Sequence, residues 1–262
     1  MAKSSVQVVF LLADYGHDPT ETTVPYSAFV AAGYDVTFAT QHGAVPACDA
    51  RMLTGWTQTF LGADKHTIAL YETMKNSSAW QHPQSWSDPG FTLESFDLVF
   101  LPGGHDKGVR QLLDCPRAQA LLVSYFPLTR RTSRPGHNSR PKFCAAVCHG
   151  VQLLAHAKTA EGVSVLHDVE TTTLPGVFET SVYATTRLFL GDYYKTYGGG
   201  TDNVTTIVQA SLDDSTAQFK SSIDTTRPFV VEDKKYRYIS ARWPGDAEEM
   251  GKKIIEALNS SK

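Results

Sequence analysis

The segment with the most chemical content runs Phe143-Cys144-Ala145-Ala146-Val147-Cys148-His149-Gly150-Val151-Gln152-Leu153-Leu154. An apolar run of strand type ends at Cys148, and a histidine, a glycine and helix-compatible residues follow. That order is the thiol form of a nucleophile elbow, a sharp strand-to-helix turn that holds the reactive side chain in a strained, exposed conformation. Gly150 leaves room for the turn to close. The free amides and positive dipole end of the following helix are expected to favour thiolate over thiol at Cys148. A buried, inert cysteine is the competing reading of any single Cys, and it suits Cys144, which has no such context.

Two other loops belong with this elbow. Leu101-Pro102-Gly103-Gly104-His105 follows another apolar run, and its glycines let backbone N–H groups approach a ligand closely. The Gly104 amide, paired with that of His149, is expected to form an oxyanion hole of the kind that acyl or aldehyde chemistry uses at cysteine. Gly16-His17-Asp18-Pro19-Thr20-Glu21-Thr22-Thr23-Val24-Pro25 leads from the first apolar run into a helix. Its Glu21 reaches the same edge as Cys148 if the first and fourth strands are neighbours. Otherwise it is a solvated carboxylate at a helix start.

Positioning these loops requires a particular architecture. The runs 6–13, 36–39, 98–101 and 143–147 are apolar on both faces, as in fully buried strands of a parallel sheet. Helical periodicity appears over 25–32, 109–125, 151–157 and 247–258, and weaker strand signals over 205–210 and 236–240. Strands alternating with helices predict a flavodoxin-like, doubly wound α/β sandwich in a single domain spanning 1–262. Residues 48–95, with Trp56, Trp80, Trp86, Phe60 and Tyr71 among turn residues, fit the alternation poorly. They read either as an inserted cap roofing the carboxyl ends of the strands or as a small satellite core.

Composition narrows the function classes. The 262 residues are 42% hydrophobic and 19% charged, with a net charge of -3, an ordinary globular balance. The one basic cluster, Arg130, Arg131, Arg134, Arg140 and Lys142, surrounds a Pro/Gly/Ser-rich loop and reads as solvated, so no nucleic-acid partner is expected. No stretch approaches the roughly 20 apolar residues of a membrane helix. The apolar start ends at Asp14 without a signal-peptide cleavage site, so a cytoplasmic location is expected. Cys48, Cys115, Cys144 and Cys148 show no CxxC spacing, and the nine His show no metal-ligand spacing, so neither metal nor cofactor is expected.

The elbow AAVCHG, the LPGGH turn and the stretch GHDPTETTVPYSAFVAAGYDVTFAT together resemble the ThiJ/PfpI superfamily, which includes the parkinsonism-associated deglycase. Within it they are most similar to the glyoxalase III and heat-shock chaperone branch. The resemblance implies Cys148 as nucleophile, His149 as the adjacent imidazole, Glu21 as the carboxylate touching the sulfur, and Gly104, beside Gly103, as oxyanion donor. It also implies an acid some twenty positions beyond the histidine to orient the imidazole. Ungapped counting places that acid at Glu170, with Asp168 the fallback. The basic loop before the elbow strand departs from the branch, as does Tyr193-Tyr194-Lys195-Thr196-Tyr197. Arg242-Trp243-Pro244-Gly245-Asp246 is closer to the protease-named branch.

The implied activity is glutathione-independent conversion of methylglyoxal to D-lactate, a lyase reaction without cofactor. A small-molecule carbonyl substrate and a second copy of the chain, in a homodimer, are the expected partners. Two alternatives keep the thiol: a hydratase, cyclase or lyase of a specialised pathway with a larger pocket, and a redox sensor or holdase without catalysis. Pocket volume separates the first of these from the glyoxalase reading.

Overall fold

The four apolar runs form the centre of a seven-stranded sheet in the computed structural model, which describes residues 5–133 and 140–261. Arg134 of the basic loop lies outside the described residues. In chain order the strands are β1 (Gln7–Leu11), β2 (Asp35–Thr40), β3 (Gln84–Ser85), β4 (Leu98–Leu101), β5 (Phe143–Val147), β6 (Val230–Glu232) and β7 (Tyr238–Ala241). They lie side by side as β3-β2-β1-β4-β5-β7-β6, all parallel except the edge strand β6. Alternate residues face opposite layers. Val8, Phe10, Leu98, Phe100 and Ala145 enter one core, and Val9, Leu11, Val99, Leu101 and Ala146 the other. Burial on both faces is why these strands read as continuous apolar runs. The expected flavodoxin-like, doubly wound sandwich is the fold observed.

The chain leaves β1 toward one edge of the sheet and crosses back to β4 on the other side. The loops after β1 and β4 therefore meet at a topological switch point, where open α/β sheets place ligands. The meeting is concrete: Asp18 N donates to Gly103 O at 3.0 Å, and the His17 ring lies 3.0 Å from the same carbonyl through Nδ1. Ala13 N donates to His17 Nε2 at 2.8 Å, which fixes a neutral imidazole with its proton on Nδ1. Burial holds the His17 pKa down at about 4.

The structure corrects several expectations. β1 and β5 are not neighbours, because β4 runs between them. Residues 205–210 are not a strand but belong to the helix Val204–Gln209, capped by Asn203 Oδ1 on Thr206 N at 2.9 Å. Val204 and Val208, one turn apart, fill the core there. The helical pattern over 109–125 breaks before Pro116, which cannot donate to the preceding turn and instead starts the helix Pro116–Tyr125. Nor do residues 48–95 form a detached roof. Trp80 packs on Phe38 with ring centroids 4.8 Å apart, Trp86 is buried in the opposite core, and β3 extends the main sheet. Only Met52 and Leu61 of this stretch reach the cavity described below.

Past β7, Arg242 is fully buried, and its Nε and Nη2 each donate to the Asp246 carboxylate at 2.8 Å. Its remaining protons go to the carbonyls of Ser222, Asp224 and Arg227 at 2.9, 2.7 and 2.9 Å. One guanidinium thus ties the loop before β6 to the turn that carries Trp243. Breaking a buried pair leaves an uncompensated charge. Arg242→Met is therefore expected to destabilise the fold by about 3–5 kcal/mol, read as a lower urea midpoint. An unchanged midpoint would mean that the pair contributes nothing.

Candidate active site

Cys148 is the one described non-glycine residue with positive φ, at 55°. The strain is tolerated because both neighbours of the turn are fixed. Cys148 N donates to Ala241 O of β7 at 3.1 Å, and Thr173 Oγ1 donates to Cys148 O at 2.6 Å. Gly150 follows because a Cβ there would lie 2.2 Å from Leu101 O at the end of β4. The expected elbow forms, and the helix Gly150–His156 leaves it.

Glu21 reaches the sulfur despite the intervening strand. It sits in the first turn of the helix Pro19–Ala31, whose Asp18 cap accepts from Thr20 N and Glu21 N at 2.8 and 3.0 Å. Its side chain crosses above β4 at Gly103, whose amide donates to Glu21 Oε2 at 2.9 Å. The crossing requires glycine: a Cβ on Gly103 would stand 2.6 Å from Glu21 Oε2, 2.7 Å from Cys148 Cβ and 2.8 Å from His149 N. The Gly103 amide is thereby committed to Glu21, which corrects its expected role as an oxyanion donor. Gly104 and His149 both line the cavity beside Cys148.

His149 lies between the sulfur and a carboxylate. Its Nδ1 is 3.4 Å from Cys148 Sγ and its Nε2 is 4.0 Å from Glu179 Oε2. The acid is therefore Glu179, not Glu170. Glu170 pairs with Lys234 at 3.0 Å near the surface, and Asp168 with Arg130 and Lys235 at 3.3 and 3.4 Å. Counting failed because the chain travels along the rim of the sheet after the elbow helix and comes back to the elbow only at Thr173. The next carboxylate is in the first turn of the helix Gly176–Leu190. In the sequence, Glu179 is indistinguishable from any acid that complements a helix dipole. Glu179 Oε1 is 3.2 Å from Lys195 Nζ, and Oε2 accepts from Val204 N at 2.9 Å. The tyrosine-rich segment around Lys195 closes over the loop after β4. The Tyr194 ring stacks on His105 at 4.4 Å, and Thr196 Oγ1 donates to His105 O at 3.0 Å.

Burial dominates the electrostatics. It pushes the Glu21 carboxyl well above its usual range, helped by the nearby Asp18, while hydrogen bonds with Cys148 and the Gly103 amide oppose the shift. Burial likewise raises the Cys148 thiol, with Glu21 and Asp18 adding to it and the His149 amide opposing. Burial thus disfavours the charged form of both groups, and thiolate and carboxylate side by side disfavour each other further. Burial acts against the thiolate that the end of the following short helix is expected to favour. His149 is held neutral by burial, with Lys195 lowering its pKa and Glu179 raising it. A neutral imidazole with Nδ1 on the sulfur can take the thiol proton, and Glu179 can stabilise the imidazolium.

These groups lie at a cavity of about 440 Å³. An open parallel sheet with a strained cysteine at its carboxyl edge, flanked by a carboxyl and a histidine–glutamate pair, defines a cysteine-elbow α/β protein. The ThiJ/PfpI family-like pattern matches residues 12–237, and the chain belongs to the ThiJ/PfpI family. It is 30% identical over 257 residues to an uncharacterized protein of Schizosaccharomyces pombe, covering 98% of this chain and 85% of the relative. A second uncharacterized protein of that yeast is 26% identical over 261 residues, covering 97% and 78%. Among solved structures, glyoxalase III from Candida albicans superposes with a TM-score of 0.65 at 17% identity over 97% of each chain.

Two measurements follow from this geometry. Alkylation of Cys148 by iodoacetamide, followed by peptide mapping, should have a pH profile displaced above that of a free thiol. Glu21→Gln should shift it back down, because Glu21 raises the thiol pKa. A profile at or below that of free cysteine contradicts the burial argument. For any reaction that uses His149, Glu179→Gln should cost roughly 10²–10⁴ in kcat, whereas Glu170→Gln should be nearly neutral. The reverse pattern would restore Glu170 as the orienting acid.

Proposed function

We propose that the protein is a cysteine-dependent enzyme that acts on small reactive carbonyl compounds by glyoxalase III-type chemistry. The observation that carries this reading is the placement of the Cys148 sulfur between Glu21 and the His149–Glu179 pair at the cavity. His149 Nδ1 takes the thiol proton as sulfur adds to the aldehyde carbon of a 2-oxoaldehyde, giving a hemithioacetal. The Gly104 and His149 amides receive the developing oxyanion. The imidazolium returns that proton to the oxyanion, and the neutral His149 then carries the C1 proton to C2 through an enediol, leaving a 2-hydroxyacyl thioester on Cys148. Water attacks the thioester, the thiol leaves, and for methylglyoxal the product is lactate. The balance is one dicarbonyl plus one water giving one hydroxyacid, with no net oxidation.

A sensor or holdase without catalysis needs only an accessible thiolate. The imidazole held between Cys148 Sγ and Glu179 favours catalysis instead, since sensing needs no oriented base. The glyoxalase III of Candida albicans supports the reading through its shared fold.

The test is incubation with methylglyoxal in the absence of glutathione, with enzymatic assay of D-lactate. The wild type should form D-lactate, and Cys148→Ser should form none above the uncatalysed rate. Equal rates for both proteins would refute the role of Cys148.

A further inference from the structure

A three-carbon dicarbonyl leaves most of the cavity empty. Its volume of about 440 Å³ falls in the range of roughly 300–1,000 Å³ that accommodates drug-sized ligands. One part of the lining is apolar, formed by Met52, Leu61, Leu174, Phe178, Val182 and Trp243, and the polar Asp18, His105, Tyr194 and Thr225 line the rest. Phe178 and Trp243 meet edge to face, with ring centroids 4.6 Å apart. Trp243 is in turn held by the buried Arg242, whose guanidinium lies 4.5 Å from its ring centroid. The aromatic wall is therefore attached to a turn that five hydrogen bonds of the Arg242 guanidinium hold in place.

The polar side is equally specific. Besides Glu21, His149 and Glu179, the cavity is lined by Tyr194, whose buried hydroxyl has no hydrogen-bond partner among the described residues. A buried hydroxyl without a partner calls for an explanation, and a ligand oxygen beside it supplies one. One group of lining residues thus suits a vicinal dicarbonyl, and another suits a hydrocarbon substituent attached to it.

We infer that the preferred substrate is a 2-oxoaldehyde carrying a bulky apolar substituent, aromatic or branched alkyl, selected over methylglyoxal by the Phe178–Trp243 wall. This rests on the reading of Cys148 as the nucleophile toward a carbonyl. With phenylglyoxal, sulfur adds to the aldehyde carbon, the C1 proton moves to C2, and water releases mandelate and the free thiol. No oxidant or reductant is consumed. A contact with one further methylene is worth about ten- to two-hundredfold in discrimination, so a phenyl ring in place of methyl should be read easily.

The experiment has two arms, so that substrate class and reaction type fail separately. In the first, S-alkylation of Cys148 by phenacyl bromide and by bromoacetone is followed by peptide mapping. Sulfur displaces bromide in both, and the rate ratio is normalised to that of glutathione. The expected ratio is at least about tenfold in favour of the phenyl compound, falling severalfold in Phe178→Ala and in Trp243→Ala. A normalised ratio near one in the wild type overturns the proposal whatever the variants do. In the second arm, kcat/KM is measured for phenylglyoxal and methylglyoxal, with Cys148→Ser as control. Preference for phenylglyoxal supports the proposal, and equal or better turnover of methylglyoxal overturns it while leaving the glyoxalase reading intact. A high alkylation ratio without turnover of either dicarbonyl upholds the apolar-substituent pocket and removes the isomerase reaction.

Discussion

The site depends on one crossing, where the Glu21 carboxyl passes over Gly103 to meet the Cys148 sulfur. Three loops from three parts of the chain converge there, and each is fixed by a different interaction. The Asp18 cap orients the helix that carries Glu21, the Gly103 amide holds its carboxyl, and the carbonyl of Ala241 anchors the backbone of the strained cysteine. No side chain fits between them. The switch point of the sheet makes this convergence possible, because there the chain runs from neighbouring strands toward opposite sides of the sheet and leaves a crevice at their carboxyl ends.

Burial gives that convergence its chemical character. A cysteine at a helix N-terminus in water would ionise readily, but here the thiol, Glu21 and His149 are all desolvated together and shift toward their neutral forms. Proton transfer from sulfur to imidazole in such a site creates an ion pair, and Glu179 beside His149 Nε2 is placed to offset the new positive charge. Lys195 balances the charge of Glu179, so that the carboxylate behind His149 is tolerated in the interior. The same desolvation that disfavours the thiolate strengthens each hydrogen bond offered to a developing oxyanion.

Two of the three departures from the expected family pattern lie at the pocket. Arg242 and Asp246 brace the turn bearing Trp243, and the tyrosine-rich segment around Lys195 supplies both the cation on Glu179 and the Tyr194 wall. These segments contribute Trp243 and Tyr194 to the lining, beside Met52, Leu61, Leu174, Phe178 and Val182 from elsewhere in the chain.

The doubly wound sheet, the elbow at Cys148 and the candidacy of Glu21 were legible in the sequence because each has a local signature. Buried parallel strands are continuous apolar runs, a nucleophile elbow is strand, Cys, Gly and helix in order, and a helix start carries its own cap. The sequence also identified His149 by adjacency. What it did not determine was everything that depends on where the chain returns in space. Glu170 and Glu179 are equivalent as residues, and only the path back to Thr173 decides which one faces His149. The aromatic residues of 48–95 carry no mark distinguishing core from roof, and packing sent Trp80 and Trp86 inward. The ionisation of Cys148 depends on both kinds of information: a helix dipole is local and readable, whereas desolvation is the sum of everything packed around the sulfur, and that exists only in the folded chain.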